Sequence, residues 1–282
     1  MQRSVTVEKL FFGTAGTPLS AKARSTVSGI ERCSELGLGC MEVEFVRGVK
    51  MGEATANAVK DAAKQGKIKL SVHAPYYINL NSPEPEKIAA SIERIKKSAR
   101  IGSIFGARGI VFHPAFYMKS QKTAVYNRVK KTLEQITSEL RSEGIKTTLR
   151  PETTGKRTQF GSLDELLDLS AEVEGVQPCF DFSHLHARDG RHNSREDFQE
   201  ILSRIESVLG RSGLDDMHIH LSGIEYTRKG EKNHLNLDES DLNYTGLLKT
   251  FRDFNVKGLV ICESPNLEGD ALLLQKSFIQ LP

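Results

Sequence analysis

The sequence predicts a single α/β domain, a closed (β/α)8 TIM barrel. Three observations predict it. Eight short β-rich runs alternate with amphipathic stretches, and none is left over. No linker, low-complexity tract or shift in composition divides the chain, so residues 1–282 are expected as one domain. The later runs carry His, Glu or Asp at their ends, and a parallel barrel brings such ends to one mouth. The competitor is an open doubly wound sheet. It usually has fewer strands and often a glycine-rich first turn, and Gly13-Thr14-Ala15-Gly16-Thr17-Pro18 is not a G-x-G-x-x-G.

The eight runs are Lys9–Thr14, Cys40–Phe45, Ile68–His73, Gly109–His113, Lys146–Glu152, Val176–Asp181, Asp216–Leu221 and Lys257–Glu263. A segment with helical spacing follows each. Ile88, Ile92, Ile95 and Ala99 fall on one face after the third run. Val125, Val129, Leu133, Ile136 and Leu140 do the same after the fourth. Ser162 with Glu165 has the spacing of a capping box, and Gly66 and Gly144 sit where helices should stop.

Composition narrows the class. Hydrophobic residues are 38%, and the 23 Gly bring the apolar share near the ~45–50% of globular chains, which excludes disorder. No apolar run approaches the ~18 residues of a membrane span. The charged start, Met1 to Leu10, lacks the apolar centre of a signal peptide. Cys33, Cys40, Cys179 and Cys262 form no C-x-x-C pair, so reduced thiols in a cytoplasmic protein are expected. A net charge of +3 is too small to mark a nucleic-acid binder by itself; only its distribution carries that information.

The strand ends carry the chemistry. The third run ends at His73 and the fourth at His113. The fifth ends at Glu152, the sixth at Asp181 and the eighth at Glu263. The seventh carries His218 and His220, two apart and so on one face. So many carboxylates and imidazoles in one place repel or desolvate one another unless cations join them. Imidazole with carboxylate is a ligand set for zinc, manganese or iron. His184, three beyond Asp181, is read as a further ligand, and His234 lies in the long segment after the seventh run. His186 reads equally as ligand or loop residue, His192 as solvated, and His218 as lying one layer below His220.

Six stretches resemble the endonuclease IV family, the metal-dependent apurinic/apyrimidinic endonucleases on a xylose isomerase-like barrel. They are His73-Ala74-Pro75-Tyr76-Tyr77-Ile78-Asn79-Leu80, Phe112-His113-Pro114, Glu152-Thr153-Thr154-Gly155, Phe180-Asp181-Phe182-Ser183-His184, His220-Leu221-Ser222-Gly223 and Cys262-Glu263-Ser264-Pro265. The resemblance implies hydrolysis of the phosphodiester 5′ to an abasic site in duplex DNA, through two or three zinc ions, with manganese as the other candidate. It implies that His73 and His113 hold the first ion and that Glu152 bridges it to a second held by Asp181, His220 and Glu263. His184 and His234 would serve a third. Glu263 and Glu152 would be the catalytic carboxylates, and the chain is expected to act as a monomer. In place of the family's Asp-x-His pair this chain reads Glu231-Lys232-Asn233-His234, where Glu231 substitutes if the loop shifts by one residue. Arg47 lacks the glutamine that follows it in the family's Arg-Gln loop.

DNA contacts are expected from Arg47, Tyr76, Tyr77, Lys156 and Arg157, with the tyrosines stacking in a distorted minor groove. Lys50, Lys119, Lys122, Arg188, Arg191, Arg228, Lys229 and Lys232 extend the basic loops on that side. Arg150, inward with Glu152, is expected to neutralise Glu42 and Glu44. Two other readings stay open. One is a single-metal sugar isomerase or epimerase using Glu152, Asp181, His220 and Glu263. The other is a barrel that binds DNA or a partner without cleaving it.

Overall fold

The computed structural model describes residues 9–281. Most of the charged start read above, residues 1–8, lies outside the described residues. Twelve strands follow in chain order: β1 Leu10–Ala15, β2 Cys40–Glu44, β3 Lys69–His73, β4 Gly109–Phe112, β5 Ala115–Phe116, β6 Thr148–Pro151, β7 Gln159–Phe160, β8 Cys179–Asp181, β9 Met217–Leu221, β10 Gly223–Thr227, β11 Gly230–Leu235 and β12 Gly258–Cys262. Eight of them form one parallel sheet in the order β6-β4-β3-β2-β1-β12-β9-β8. Bridges Leu149↔Val176 and Glu152↔Cys179 close it between β6 and β8. The fold is therefore the eight-stranded parallel barrel that the sequence predicts.

The seam between β6 and β8 is weaker than expected. The sequence starts the sixth run at Val176, yet the strand begins at Cys179. Pro178 has no N–H to give to a ladder, and the guanidinium of Arg150 donates to its carbonyl instead (3.2 Å).

Helices wrap the outside as their patterning dictates. Val125, Val129, Leu133, Ile136 and Leu140 are all buried on the helix Lys122–Ser142, each contributing roughly 1.5–3 kcal/mol of apolar burial. On Pro85–Ile104 the buried face is rotated from the predicted one. Ser91, Ile95, Ser98, Ala99 and Gly102 are buried, whereas Ile88 and Ile92 are half-buried. Small residues let this helix lie close to the sheet: a Cβ on Gly102 would stand 3.0 Å from Ile110 Cδ1. The capping box of Ser162 and Glu165 starts the helix Leu163–Glu172. Gly144 takes a left-handed conformation past its helix end. At the other predicted stop, however, that conformation falls on Lys67 rather than Gly66.

Two small pairings are absent from the sequence reading. β5 pairs with β7, and β10 pairs with β11 as an antiparallel hairpin after β9. The hairpin carries His234 over the mouth. Among the described residues no helix is long and apolar enough to cross a membrane.

Candidate metal centre

Parallel strands deliver all their C-terminal ends to one side, and the polar residues meet there. Glu152 is at the centre, 1% exposed. Its Oε2 lies 3.0 Å from His113 Nε2 and 3.3 Å from His73 Nε2. Its Oε1 lies 3.2 Å from His184 Nδ1 and 3.4 Å from His220 Nδ1. His220 Nδ1 is also 3.3 Å from Glu263 Oε1, and His184 Nδ1 is 3.3 Å from Asp181 Oδ2. His234 Nε2 approaches His184 Nε2 to 3.5 Å. All eight predicted ligands thus converge. Their donor atoms fall into three overlapping groups, each within 4.8 Å: His73, His113 and Glu152; Glu152, Asp181, His220 and Glu263; and Asp181, His184 and His234.

The hairpin resolves the altered pair. Glu225 faces Asn233 and Tyr226 faces Glu231, so Lys232 is the extra residue of a β-bulge. In a regular strand residues three apart point to opposite faces. The bulge puts Glu231 and His234 on the same face, and Glu231 Oε2 lies 3.5 Å from His184 Nε2. Lys232 points away and pairs with Glu225 at 2.6 Å. Gly155 makes the room: a Cβ there would stand 2.6 Å from Glu231 Cβ, and its carbonyl accepts the Glu231 N–H at 2.9 Å.

The residues fit a cation centre on donor chemistry and on unmet bonding. Glu152 Oε1, Asp181 Oδ2 and His220 Nδ1 are buried with no hydrogen-bond partner, a costly state that bound dications would relieve. Without metal, the imidazoles answer the carboxylates. Burial opposes charge on Glu152, but His113 and His220 outweigh it and hold its carboxyl well below the usual range. Burial likewise opposes charge on Glu263, and His220 brings it down to about 2. Burial disfavours a charged His73, yet Glu152 and Glu44 push it up to about 10. Burial raises Asp181. Glu44, at the end of β2, is pushed up by burial to about 8 despite the neighbouring His73.

Several expectations are corrected. Arg150 is buried but does not neutralise Glu42 and Glu44: its guanidinium pairs with Asp216 Oδ2 at 2.8 Å, at the far end of the barrel. Glu42 instead meets Ser71, His218 and His220. His186 is buried between the Arg191 carbonyl and Asp241, away from the ligands. Arg188 is no mouth cation. It is buried and donates to Thr154, Lys156 and Gln159, bracing the loop after β6. On that loop Arg157 is exposed but paired with Asp189 at 2.6 Å, and Lys156 is half-buried. Arg47 is exposed. Tyr76 and Tyr77 are 59% and 67% exposed, with the Tyr76 ring 5.7 Å from that of His73. Behind them a cleft of about 620 Å³ is lined by Asn79, Lys87, Arg94 and Phe116.

A barrel of parallel strands with a carboxylate–imidazole mouth defines the class: a TIM barrel whose mouth gathers metal-ligating residue types. The chain belongs to the xylose isomerase-like TIM barrel family, whose model matches residues 30–278. It is 47% identical to an uncharacterized protein of Methanocaldococcus jannaschii over 273 residues, 96% of this chain and 98% of that one. It is 29% identical to the probable endonuclease 4 of Aster yellows witches'-broom phytoplasma over 182 residues, spanning 63% of this chain and 61% of that protein. Among solved structures it resembles endonuclease IV from Thermus thermophilus, with a TM-score of 0.74 at 18% identity over 95% of this chain and 99% of that one. It also resembles a D-tagatose 3-epimerase-like protein, with a TM-score of 0.71 at 17% identity over 90% and 95%. At such identities the structural likeness speaks for the fold alone.

Proposed function

We infer that the protein is a metal-dependent endonuclease that hydrolyses the phosphodiester 5′ to an abasic site in duplex DNA, with zinc as the preferred ion and manganese as the alternative. One observation carries this reading. The mouth holds three overlapping donor groups joined through Glu152 and Asp181, which suits several ions and exceeds what one ion needs. The match to probable endonuclease 4 proteins supports it. The four free thiols accord with a reducing, cytoplasmic setting.

Bound dications would lower the pKa of a coordinated water and stabilise the attacking and leaving oxygens of the phosphodiester. The protein's own groups do the rest. Glu152, sharing its two oxygens between donor groups, fixes the spacing of the centre. Glu263, 14% exposed at the rim, would hold an ion and orient the attacking water. Tyr76 stands beside His73, and it and the exposed Tyr77 can stack against DNA at the gap left by a missing base. Arg47, Lys156 and Arg157 face phosphate, Arg157 only after release from Asp189. Affinity for duplex should therefore fall steeply with added salt.

The second reading is a single-metal sugar epimerase. It is favoured by the group Glu152, Asp181, His220 and Glu263, which would hold one ion unaided. It leaves His73, His113 and His184 without a metal to serve. Incubation with a duplex carrying one abasic analogue, with and without chelator, tests the proposal. Chelator-sensitive incision on the 5′ side is expected. No incision by the metal-loaded protein rejects the nuclease reading, and ketose epimerisation by the same protein replaces it.

A further inference from the structure

TIM barrels usually close beneath the mouth with layers of branched apolar side chains. This one does not. Strand alternation places an inward residue two positions before each mouth residue. Glu42 lies below Glu44, Ser71 below His73, Cys179 below Asp181 and His218 below His220, and the four lower residues are fully or nearly fully buried. The cation of this layer, Arg150, is committed to Asp216. Glu42 is left to Ser71 and the imidazoles of His218 and His220.

The donors around Glu42 form a compact set. The Cys179 thiol and ring nitrogens of His218 and His220 lie within 4.8 Å of one another. Glu42 Oε2 accepts from Ser71 Oγ at 2.6 Å and from His218 Nε2 at 2.9 Å. Glu42 Oε1 stands 2.9 Å from His220 Nε2. That contact is not an aligned hydrogen bond, because both atoms are buried and left without a partner. The same signature marks the mouth, where His220 Nδ1 and Glu152 Oε1 are 3.4 Å apart and both unpartnered. Two ligands of one ion behave this way: they sit side by side, each aimed at the ion instead of at the other.

We propose that Cys179, His218, His220 and Glu42 form a second, enclosed metal site beneath the mouth, with His220 shared between the two. Cys179, His218 and His220 supply three mutually close donors, and Glu42, in contact with both imidazoles, would complete a four-coordinate set of the kind that suits zinc. Loading releases the Cys179 thiol proton and the protons on both His220 ring nitrogens to solvent. His220 then serves the inner ion through Nε2 and the mouth through Nδ1, while His218 carries its proton on Nδ1. The ion supplies the counter-charge that Arg150 does not give. This site goes beyond the nuclease reading and does not depend on it.

Cobalt(II) tests it, because the mouth ligands include no sulfur. Metal-free protein is loaded with cobalt, its near-ultraviolet absorption is recorded, and bound equivalents are counted by elemental analysis. The wild type should show a thiolate-to-cobalt charge-transfer band. Cys179→Ser should lose that band and one equivalent, and Cys33→Ser, whose thiol lies beside Thr14, should keep both. Bound cobalt with visible d–d absorption but no thiolate band in the wild type would overturn the proposal, as would a band that survives Cys179→Ser. If Cys179→Ser fails to fold, the wild-type spectrum decides. Abasic-site cleavage is read separately, so failure of the nuclease reading leaves the spectroscopic result standing.

Discussion

Deleting Lys232 should leave the donor group of Asp181, His184, His234 and Glu231 intact, although the deletion falls inside a strand. Lys232 is the residue without a partner across the hairpin, and its bulge is what lets Glu231 and His234 share a face while three apart. Removal sets the two residues two apart on an unbroken strand, where alternation again puts them on one face. The deletion also breaks the Lys232–Glu225 ion pair, with side chains 58% and 41% exposed, worth about 0–1 kcal/mol at such exposure. Glu231→Ala is the opposite case. It preserves the register and removes a carboxylate whose Oε2 lies 3.5 Å from His184 Nε2. Losing even an outer-shell partner costs roughly 10–100-fold in metal affinity, or about 1.4–2.8 kcal/mol, and a ligand should cost at least that. Zinc titration of chelator-stripped protein by calorimetry reads both variants, with thermal unfolding as the check on folding. The deletion variant should bind within a few-fold of wild type, and Glu231→Ala should lose its weakest-bound equivalent. Lys232→Asp should gain nothing, because that side chain points to Glu225. A folded deletion variant that loses the same equivalent as Glu231→Ala would refute the bulge argument.

Three further outcomes are expected. Gly155→Ala should weaken the same ion, because its new Cβ would stand 2.8 Å from Glu231 Oε2; unchanged zinc affinity in a folded variant would show that Glu231 has no role there. Glu263→Gln should keep the fold and lose roughly 10–100-fold or more in cleavage, since the amide holds an ion and its water less well; near wild-type rates on an abasic duplex would remove that role. The metal-free protein should be most stable between about pH 4.5 and 6.5 and weaken toward pH 10. Glu152, held below 4.5, contributes above that value and loses its contribution as pH falls through its depressed range. His73, raised from 6.5 to about 10, contributes fully below 6.5 and less as pH climbs. Zinc-loaded protein should show the reverse trend across neutrality, since ions and protons compete for the same nitrogens. Tm against pH with and without zinc checks both; parallel curves would mean that these imidazoles do not bind the ion.

The barrel and its mouth were legible because each rests on a local period. Alternation between β-rich and helical spacing counts the eight units, and the fixed direction of parallel strands turns a set of strand ends into one place. His73, His113, Glu152, Asp181, His220 and Glu263 needed no long-range information to be grouped. Arg150 shows where that method stops. Alternation correctly turns it inward, but which acid it meets depends on its height in the barrel, and it reaches Asp216 at the bottom edge. Arg188 shows a second limit. A basic residue after a strand looks solvated in sequence, yet this one is surrounded by the carbonyls of the neighbouring loop. The bulge at Lys232 is a third, since nothing in the run Gly230-Glu231-Lys232-Asn233-His234 marks which residue is extra. That choice follows from the chemistry of the mouth. With the bulge at Lys232 a carboxylate faces His184. In an unbroken strand Lys232, two residues before His234, would share its face and bring an ammonium toward His184.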